Sequence, residues 1–160
     1  RHSLYTEHDI QFPTGYGMGE DMTMMMLFAH AKQVAYIPKA YYHYVKTNTN
    51  AFSQTYSEKH LSELQYNVQR IVDYMQTIYG EQLNTELNFF KLDIKYPFLV
   101  ANQFRRWEAW YPEANRYILQ NEHISKRYRW TQWLASKKQY WFVWIYNMVL
   151  TKIVYGFFYK

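Results

Sequence analysis

The longest regular pattern of apolar positions predicts a helix that follows Ser57 and ends at Gly80. Its apolar residues recur three or four positions apart, so they share one helical face; they are Leu61, Leu64, Val68, Ile71, Val72, Met75 and Ile78. Serine suits the position just before a helix, where its hydroxyl accepts a hydrogen bond from a backbone N–H, and glycine suits the position just after one. This segment is therefore the clearest helix in the chain.

Shorter patterns of the same kind predict further helices. Residues 20–33 carry Met22, Met25 and Met26 at helical spacing, and residues 83–98 carry a similar stripe that Pro97 would kink or break. Another helix is predicted near Pro112, because proline suits the first helical position. Residues 139–159 form a last apolar and aromatic segment with a single charge, Lys152.

Two short runs of aromatic and β-branched residues favour strands over helices. They cover residues 34–37 and 40–45, with Pro38 marking the bend between them. A polar stretch over residues 46–55 predicts a loop. The predicted fold class is therefore predominantly α with a small β element (α+β).

The distribution of charge separates the end of the chain from the rest. Residues 125–160 contain seven basic residues and no acidic one, whereas the other residues carry 11 basic and 13 acidic side chains. A basic and aromatic tail suggests an anionic partner. The chain has no cysteine, which excludes disulfides, thiolate zinc sites and cysteine nucleophiles.

Three interpretations of the tail remain open: a core helix, a helix on a membrane surface, and a spanning helix. Tryptophan, tyrosine and phenylalanine beside basic residues suit the surface of a membrane. A spanning helix would bury Lys152 near its centre at a cost of roughly 3 kcal/mol. The basic aromatic run over residues 126–130 could stack on single-stranded nucleic acid, but no known nucleic-acid module accompanies it, so no nucleic-acid partner is expected.

A glycine-rich loop over residues 13–19 leads into two adjacent carboxylates, Glu20 and Asp21, at a predicted helix start. The N-terminus of a helix stabilises a carboxylate by roughly 0.3–1 kcal/mol. An ionised aspartate beside a cleft can act as a general base that removes a proton from a hydroxyl group. Acidic residues are also ordinary helix starters, so this motif alone leaves both interpretations open.

A series of motifs from Ile10 to about Ser53 carries a family resemblance. These motifs are Ile10-Gln-Phe-Pro13, Gly19-Glu-Asp21, Val34-Ala-Tyr-Ile-Pro38 and Tyr42-His-Tyr44, followed by the polar loop. Their order resembles the second half of the catalytic domain of family 2 glycosyltransferases, which have the GT-A fold and in bacteria build surface polysaccharides. The resemblance covers about a third of the chain.

The resemblance implies roles for individual residues. Asp21 would be the catalytic base, deprotonating an acceptor hydroxyl that attacks the anomeric carbon of a nucleotide sugar with inversion. Glu20 would lie in the acceptor site, and His43 could approach the donor diphosphate or its metal. The substrate-binding residues would be Gly19, Glu20, Tyr42, His43 and Tyr44.

The resemblance also implies that part of the enzyme is missing from this chain. The family binds its nucleotide and a Mn²⁺ or Mg²⁺ ion through a preceding α/β half that contains an Asp-x-Asp motif, and no Asp-x-Asp occurs here. Residues 1–55 would be the C-terminal segment of the catalytic domain and residues 56–160 a helical appendage. This segment alone would hold no metal and be inactive.

The complete enzyme would use a nucleotide-sugar donor and a glycan or lipid-linked acceptor. It would be cytoplasmic, with residues 125–160 as a candidate contact to the cytoplasmic face of the membrane. The alternative is a non-catalytic helical module that binds a protein or a membrane. A second short match, Gln103-Phe-Arg-Arg-Trp107, fits a motif of processive family 2 synthases, but it follows Asp21 at too great a distance and is expected to be chance.

Overall fold

The computed structural model describes residues 1–17, 19–43 and 57–150. The chain divides into two compact units, an N-terminal unit (Arg1–Gln82) and a C-terminal unit (Leu83–Lys160). The α-helices are α1 (Ser3–Glu7), α2 (Glu20–His30), α3 (Glu58–Tyr79), α4 (Asn84–Val100), α5 (Phe104–Ala109), α6 (Lys126–Ser136) and α7 (Tyr140–Met148). Short 3-10 helices occupy Gly80–Leu83 and Pro112–Tyr117.

The predicted β element is wrong. Residues 34–43 contain no strand and pair with no other segment in the described part of the chain, and their side chains are exposed. A β-strand is held by hydrogen bonds to a neighbouring strand, so β propensity alone does not form one. The described residues are all-helical in class, which corrects the α+β prediction. Residues 44 and 45, and the predicted domain boundary between residues 55 and 56, lie outside the described residues.

The core of the N-terminal unit lies between α2 and α3. The apolar face predicted for α3 is buried over most of its length, and it packs against Met22, Met26 and Leu27 of α2. Both predicted ends of α3 are confirmed, since the Ser57 hydroxyl accepts a hydrogen bond from the His60 N–H at 3.3 Å and the helix ends at Gly80. Helix α2 starts at the predicted residue and ends three residues early.

Two of the remaining helix predictions are only partly correct. Helix α4 includes Pro97 and ends three residues beyond it, so the proline does not break the helix there. The segment that begins at Pro112 is a 3-10 helix rather than an α-helix. In the predicted helix over residues 139–159, α7 occupies Tyr140–Met148, and residues 151–159 lie outside the described residues.

A buried lysine links the elements of the C-terminal unit. The Lys95 side chain on α4 is fully buried, and its Nζ donates hydrogen bonds to Asn115 Oδ1 at 2.8 Å and to the carbonyl of Trp110 at 3.0 Å. It also lies 3.4 Å from the Tyr111 carbonyl and 4.2 Å from the ring centroid of Trp107. Lys95 therefore joins α4 to the segment that follows α5.

The Trp107 side chain is also fully buried, in the core of the C-terminal unit. Its position beneath the Lys95 ammonium gives the tryptophan of the Gln103–Trp107 match a packing role. Arg105 is exposed, while Arg106 Nη1 donates a hydrogen bond to Gln103 Oε1 at 3.0 Å within the same turn. These contacts of the motif are therefore structural ones, within one turn and with the core.

Candidate functional site

The glycine-rich loop before α2 is attached to α3 by a buried amide. Asn67 Nδ2 donates a hydrogen bond to the Gly17 carbonyl at 2.7 Å and a second to the Glu63 carbonyl at 3.0 Å. Asn67 is fully buried, in the middle of the apolar face of α3. Because a buried amide gains most when its hydrogen bonds are made, this contact fixes the loop at one point.

Two further contacts attach the loop, and the segment directly before it, to α3. The rings of Tyr16 and Tyr66 stack with a centroid separation of 3.7 Å and an interplanar angle of 7°. Arg70 Nη2 donates a hydrogen bond to the carbonyl of Gln11. The contacting residues of α3 are thus spaced along one side of the helix, and together they hold the loop in a defined path.

Gly19 is the point of closest packing between the loop and its surroundings. It is buried immediately before α2, and a Cβ atom added to it would lie 2.7 Å from Pro13 Cδ and closer still to Pro13 Cγ. The same atom would lie 3.1 Å from Asn67 Oδ1. The loop therefore has space for glycine at this position and for no larger residue unless Pro13 moves.

The two predicted site carboxylates come directly after Gly19 in the sequence. Glu20 and Asp21 occupy the first turn of α2, and both side chains are exposed. The turn beneath them is fixed by Thr23, which is fully buried and donates its hydroxyl hydrogen to the Gly19 carbonyl at 2.8 Å. The structure therefore confirms the predicted helix start and leaves both carboxylates accessible to solvent.

Exposed apolar side chains continue from Asp21 along α2. Met24 and Phe28 lie three and seven residues after Asp21, so the three share one side of the helix, and the apolar two are 41% and 53% exposed. This face is not used by the packing of α2 on α3. It is a surface on which another part of a protein, or a substrate, could lie beside the carboxylate.

The predicted site residues other than Gly19 and the two carboxylates lie further along the chain, after α2. Tyr42 and His43 are exposed in the irregular segment after α2, and Tyr44 lies outside the described residues. No three histidine, aspartate or glutamate side chains of the described residues group in a way that could hold a metal ion.

The sequence patterns did not indicate that Asn67 and Arg70, two polar residues of α3, support the loop and the segment before it. Glu63, Asn67 and Arg70 each carry a buried polar atom that has no hydrogen-bond partner in the described structure. A signal was present, because Asn67 lies between Leu64 and Ile71 on a face that is otherwise apolar. Such a residue is expected to contact a specific polar group.

The sequence patterns also gave no indication of a cleft elsewhere in the N-terminal unit. It has a volume of about 580 Å³ and is lined by His8, His30, Arg1, Lys32 and five neighbouring residues. The two imidazoles stack with 3.5 Å between centroids, and His30 Nε2 lies 2.7 Å from the Tyr74 hydroxyl. Burial, with the charge of His8, lowers the pKa of His30. Neither Glu20 nor Asp21 lines this cleft, so it is separate from the predicted site.

Comparisons with known proteins and a search for spanning segments add two findings. No family model, curated protein or solved structure matches the chain. Over residues 1–17, 19–43 and 57–150, no helix combines the length and apolar character needed to cross a membrane.

Proposed function

We propose that this chain is the C-terminal segment of an inverting, family 2-like glycosyltransferase, and that Asp21 is its catalytic base. The enzyme transfers a sugar from a nucleotide-sugar donor to a glycan or glycolipid acceptor, in surface polysaccharide synthesis. The observation that carries the proposal is the exposed Asp21 carboxylate at the start of α2, on a loop that α3 holds in place.

Support for a base at this position comes from the way the loop is held. A general base must be positioned within hydrogen-bond reach of the proton it removes, and small displacements cost large factors in rate. Asn67 and Tyr66 contact the loop, Arg70 contacts Gln11 just before it, and the buried Gly19 packs closely against Pro13. Asp21 therefore projects from a supported backbone while its carboxylate remains accessible to an acceptor.

Support for a missing half comes from the exposed apolar surface near Asp21. Met24 and Phe28 are exposed beside the carboxylate, and residues 34–43 expose Val34, Tyr36, Ile37, Tyr41 and Tyr42. Exposed apolar side chains that form a patch mark a contact site, and these two segments supply candidates for one. In the complete transferase, the nucleotide-binding half covers this surface and brings the donor sugar to Asp21.

The metal of the complete enzyme belongs to that half as well. Its expected ligand set includes the Asp-x-Asp motif, which does not occur in this chain. The role of this chain is to hold the acceptor with Glu20 and to accept the acceptor's proton at Asp21.

The test is the Asp21→Asn variant of the complete transferase. Asparagine has nearly the same shape as aspartate but cannot accept a proton, so kcat is expected to fall by at least about 100-fold while donor binding is unchanged. Turnover is measured by release of the nucleoside diphosphate and donor binding by titration calorimetry. The matched control is Glu58→Gln, which removes an exposed carboxylate from the first turn of α3, and it is expected to keep normal turnover.

Near-normal turnover of Asp21→Asn would exclude Asp21 as the base. The thermal stability of both variants must be measured, because the loss of one carboxylate at a helix start is expected to cost only about 0.3–1 kcal/mol. The alternative function, a non-catalytic module, predicts instead that neither substitution affects any transfer activity and that the complete protein turns over no nucleotide sugar.

A further inference from the structure

Helices α6 and α7 form an apolar groove on the C-terminal unit. Three residues connect the two helices, and the helices pack against each other. Each helix contributes a row with the spacing i, i+3, i+7, which places the members of a row on one side of the helix. These rows are Arg127, Trp130 and Leu134 on α6, and Phe142 and Ile145 on α7 with Val149 directly after it.

The groove is large enough for a hydrocarbon chain. Its volume is about 430 Å³, and Thr131, Val143 and Tyr146 complete its lining. Arg127 is its one ionisable side chain other than tyrosine. A cavity of this size and chemistry suits an apolar ligand with a negative charge at one end.

The two tryptophans and the phenylalanine of α7 face outward. Among its nine residues, the helix buries Val143 and Asn147, and the Asn147 side chain donates a hydrogen bond to the Leu99 carbonyl at 2.7 Å. Trp141 and Trp144 are 56% and 49% exposed, and Trp130 on α6 is 60% exposed. Within residues 83–150, the packing of the C-terminal unit therefore leaves this aromatic surface uncovered, as in proteins that bind a partner or a membrane.

Positive charges lie at both ends of α6, and residues 125–150 contain no carboxylate. Lys126 and Arg127 occupy its first turn, and Lys137 and Lys138 lie in the connection to α7. Lys138 is paired with Glu108 at 3.1 Å, whereas Lys126 and Lys137 are exposed and form no ion pair with the described residues. The electrostatic complement of this surface is therefore an anionic one.

We propose that the α6–α7 surface binds the surface of an anionic phospholipid bilayer. The groove takes acyl chains, the exposed tryptophans lie at headgroup depth, and Lys126, Arg127 and Lys137 pair with lipid phosphates. Tryptophan is enriched at this depth, and basic residues near an anionic membrane each strengthen binding. The proposal concerns adsorption to one leaflet and does not depend on the catalytic role of Asp21.

The first experiment is co-sedimentation of the 160-residue chain with vesicles. Vesicles of phosphatidylcholine alone are compared with vesicles that also contain phosphatidylglycerol, each at low and high salt. Binding is expected to phosphatidylglycerol vesicles, with at least about a tenfold loss at high salt, because salt screens exposed charges. Equal binding to both kinds of vesicle, unaffected by salt, would overturn the proposal.

Paired substitutions test which residues make the contact. Trp141→Ser with Trp144→Ser removes aromatic area, and Lys126→Glu with Lys137→Glu reverses charge; each pair is expected to weaken binding at least about tenfold. The controls are Tyr36→Ser and Lys39→Glu, made at exposed positions of the N-terminal unit, and they are expected to bind as the unchanged chain does. Circular dichroism confirms that each variant is folded.

A third measurement separates the bilayer from a protein partner. Lipids brominated on the acyl chain are expected to quench the tryptophan fluorescence of the unchanged chain and to quench the Trp141→Ser, Trp144→Ser variant much less. If the tryptophan pair instead abolishes self-association in sedimentation equilibrium and leaves vesicle binding intact, the surface is an interface between two copies of the chain and the proposal is wrong.

Discussion

At pH 7.5, the Lys95→Ala protein is expected to have a free energy of unfolding about 3 kcal/mol lower than that of the unchanged chain. The substitution removes a buried side-chain stem and leaves a cavity. It also leaves the carbonyl of Trp110 and Asn115 Oδ1 without their donor, and a buried unsatisfied acceptor costs about 1–3 kcal/mol. Urea unfolding followed by circular dichroism measures the difference.

The pH dependence of the same variant distinguishes a lost lysine from a general loss of packing. Burial lowers the pKa of Lys95 to about 7, although Glu113 opposes the shift. Between about pH 7.5 and 9.5 the unfolded chain keeps the proton that the folded chain has released, so stability rises with pH, by up to about 1.4 kcal/mol per pH unit. Lys95→Ala is expected to abolish this rise.

The control for the pH measurement is Lys91→Ala. Lys91 lies one turn before Lys95 on α4 and pairs with Glu113 at 2.9 Å, where the carboxylate side chain is 48% exposed. This variant is expected to keep the rise in stability between pH 7.5 and 9.5. A rise that persists in Lys95→Ala, or that is absent from the unchanged chain, would show that Lys95 stays charged in its site.

The Gly19→Ala protein is expected to be less stable than the unchanged chain by about 3 kcal/mol, at the upper end of the cost of overpacking. The added Cβ would lie 2.7 Å from Pro13 Cδ and 3.1 Å from Asn67 Oδ1, so the backbone must move to relieve the overlap. Because Glu20 and Asp21 follow directly, the movement also displaces both carboxylates. Urea unfolding of the chain measures the stability.

A second substitution tests whether the overlap with Pro13 is the cause. Pro13→Ala removes both ring atoms that the new Cβ would meet, so Gly19→Ala is expected to cost less than about 1 kcal/mol in that background. Such a difference is a coupling free energy between neighbouring residues. If Gly19→Ala costs the same in both backgrounds, the loop does not pack as described.

A helix could be predicted from the sequence where one of its faces is apolar and capping residues stand at both of its ends. Helix α3 meets both conditions, and its predicted ends at Ser57 and Gly80 are confirmed. The segment around Val34 and Tyr36 has β propensity, but a strand also requires a partner, and propensity contains no information about partners. The prediction of a β element was wrong for this reason.

The same contrast applies to the candidate site, of which one part could be predicted from the sequence and another part could not. A glycine-rich loop before two acidic residues is visible in the sequence, and the structure has Glu20 and Asp21 exposed at the helix start as expected. The support of the loop was not predicted, because it depends on Asn67 and Arg70 some 50 residues later, whose contacts arise only when α2 packs on α3. The roles of these residues in sugar transfer stay predictions.

The attachment of the glycine-rich loop to α3 limits how the molecule can be dissected. A shortened version that stopped before Ser57 would retain every motif of the family resemblance. It would lose Asn67, Tyr66 and Arg70, whose hydrogen bonds and ring stacking hold the loop and the segment before it in place. It would also expose the methionine-lined side of α2 to water. Any shortened or chimeric version of the chain that is meant to keep the Gly-Glu-Asp turn in place must therefore also carry α3.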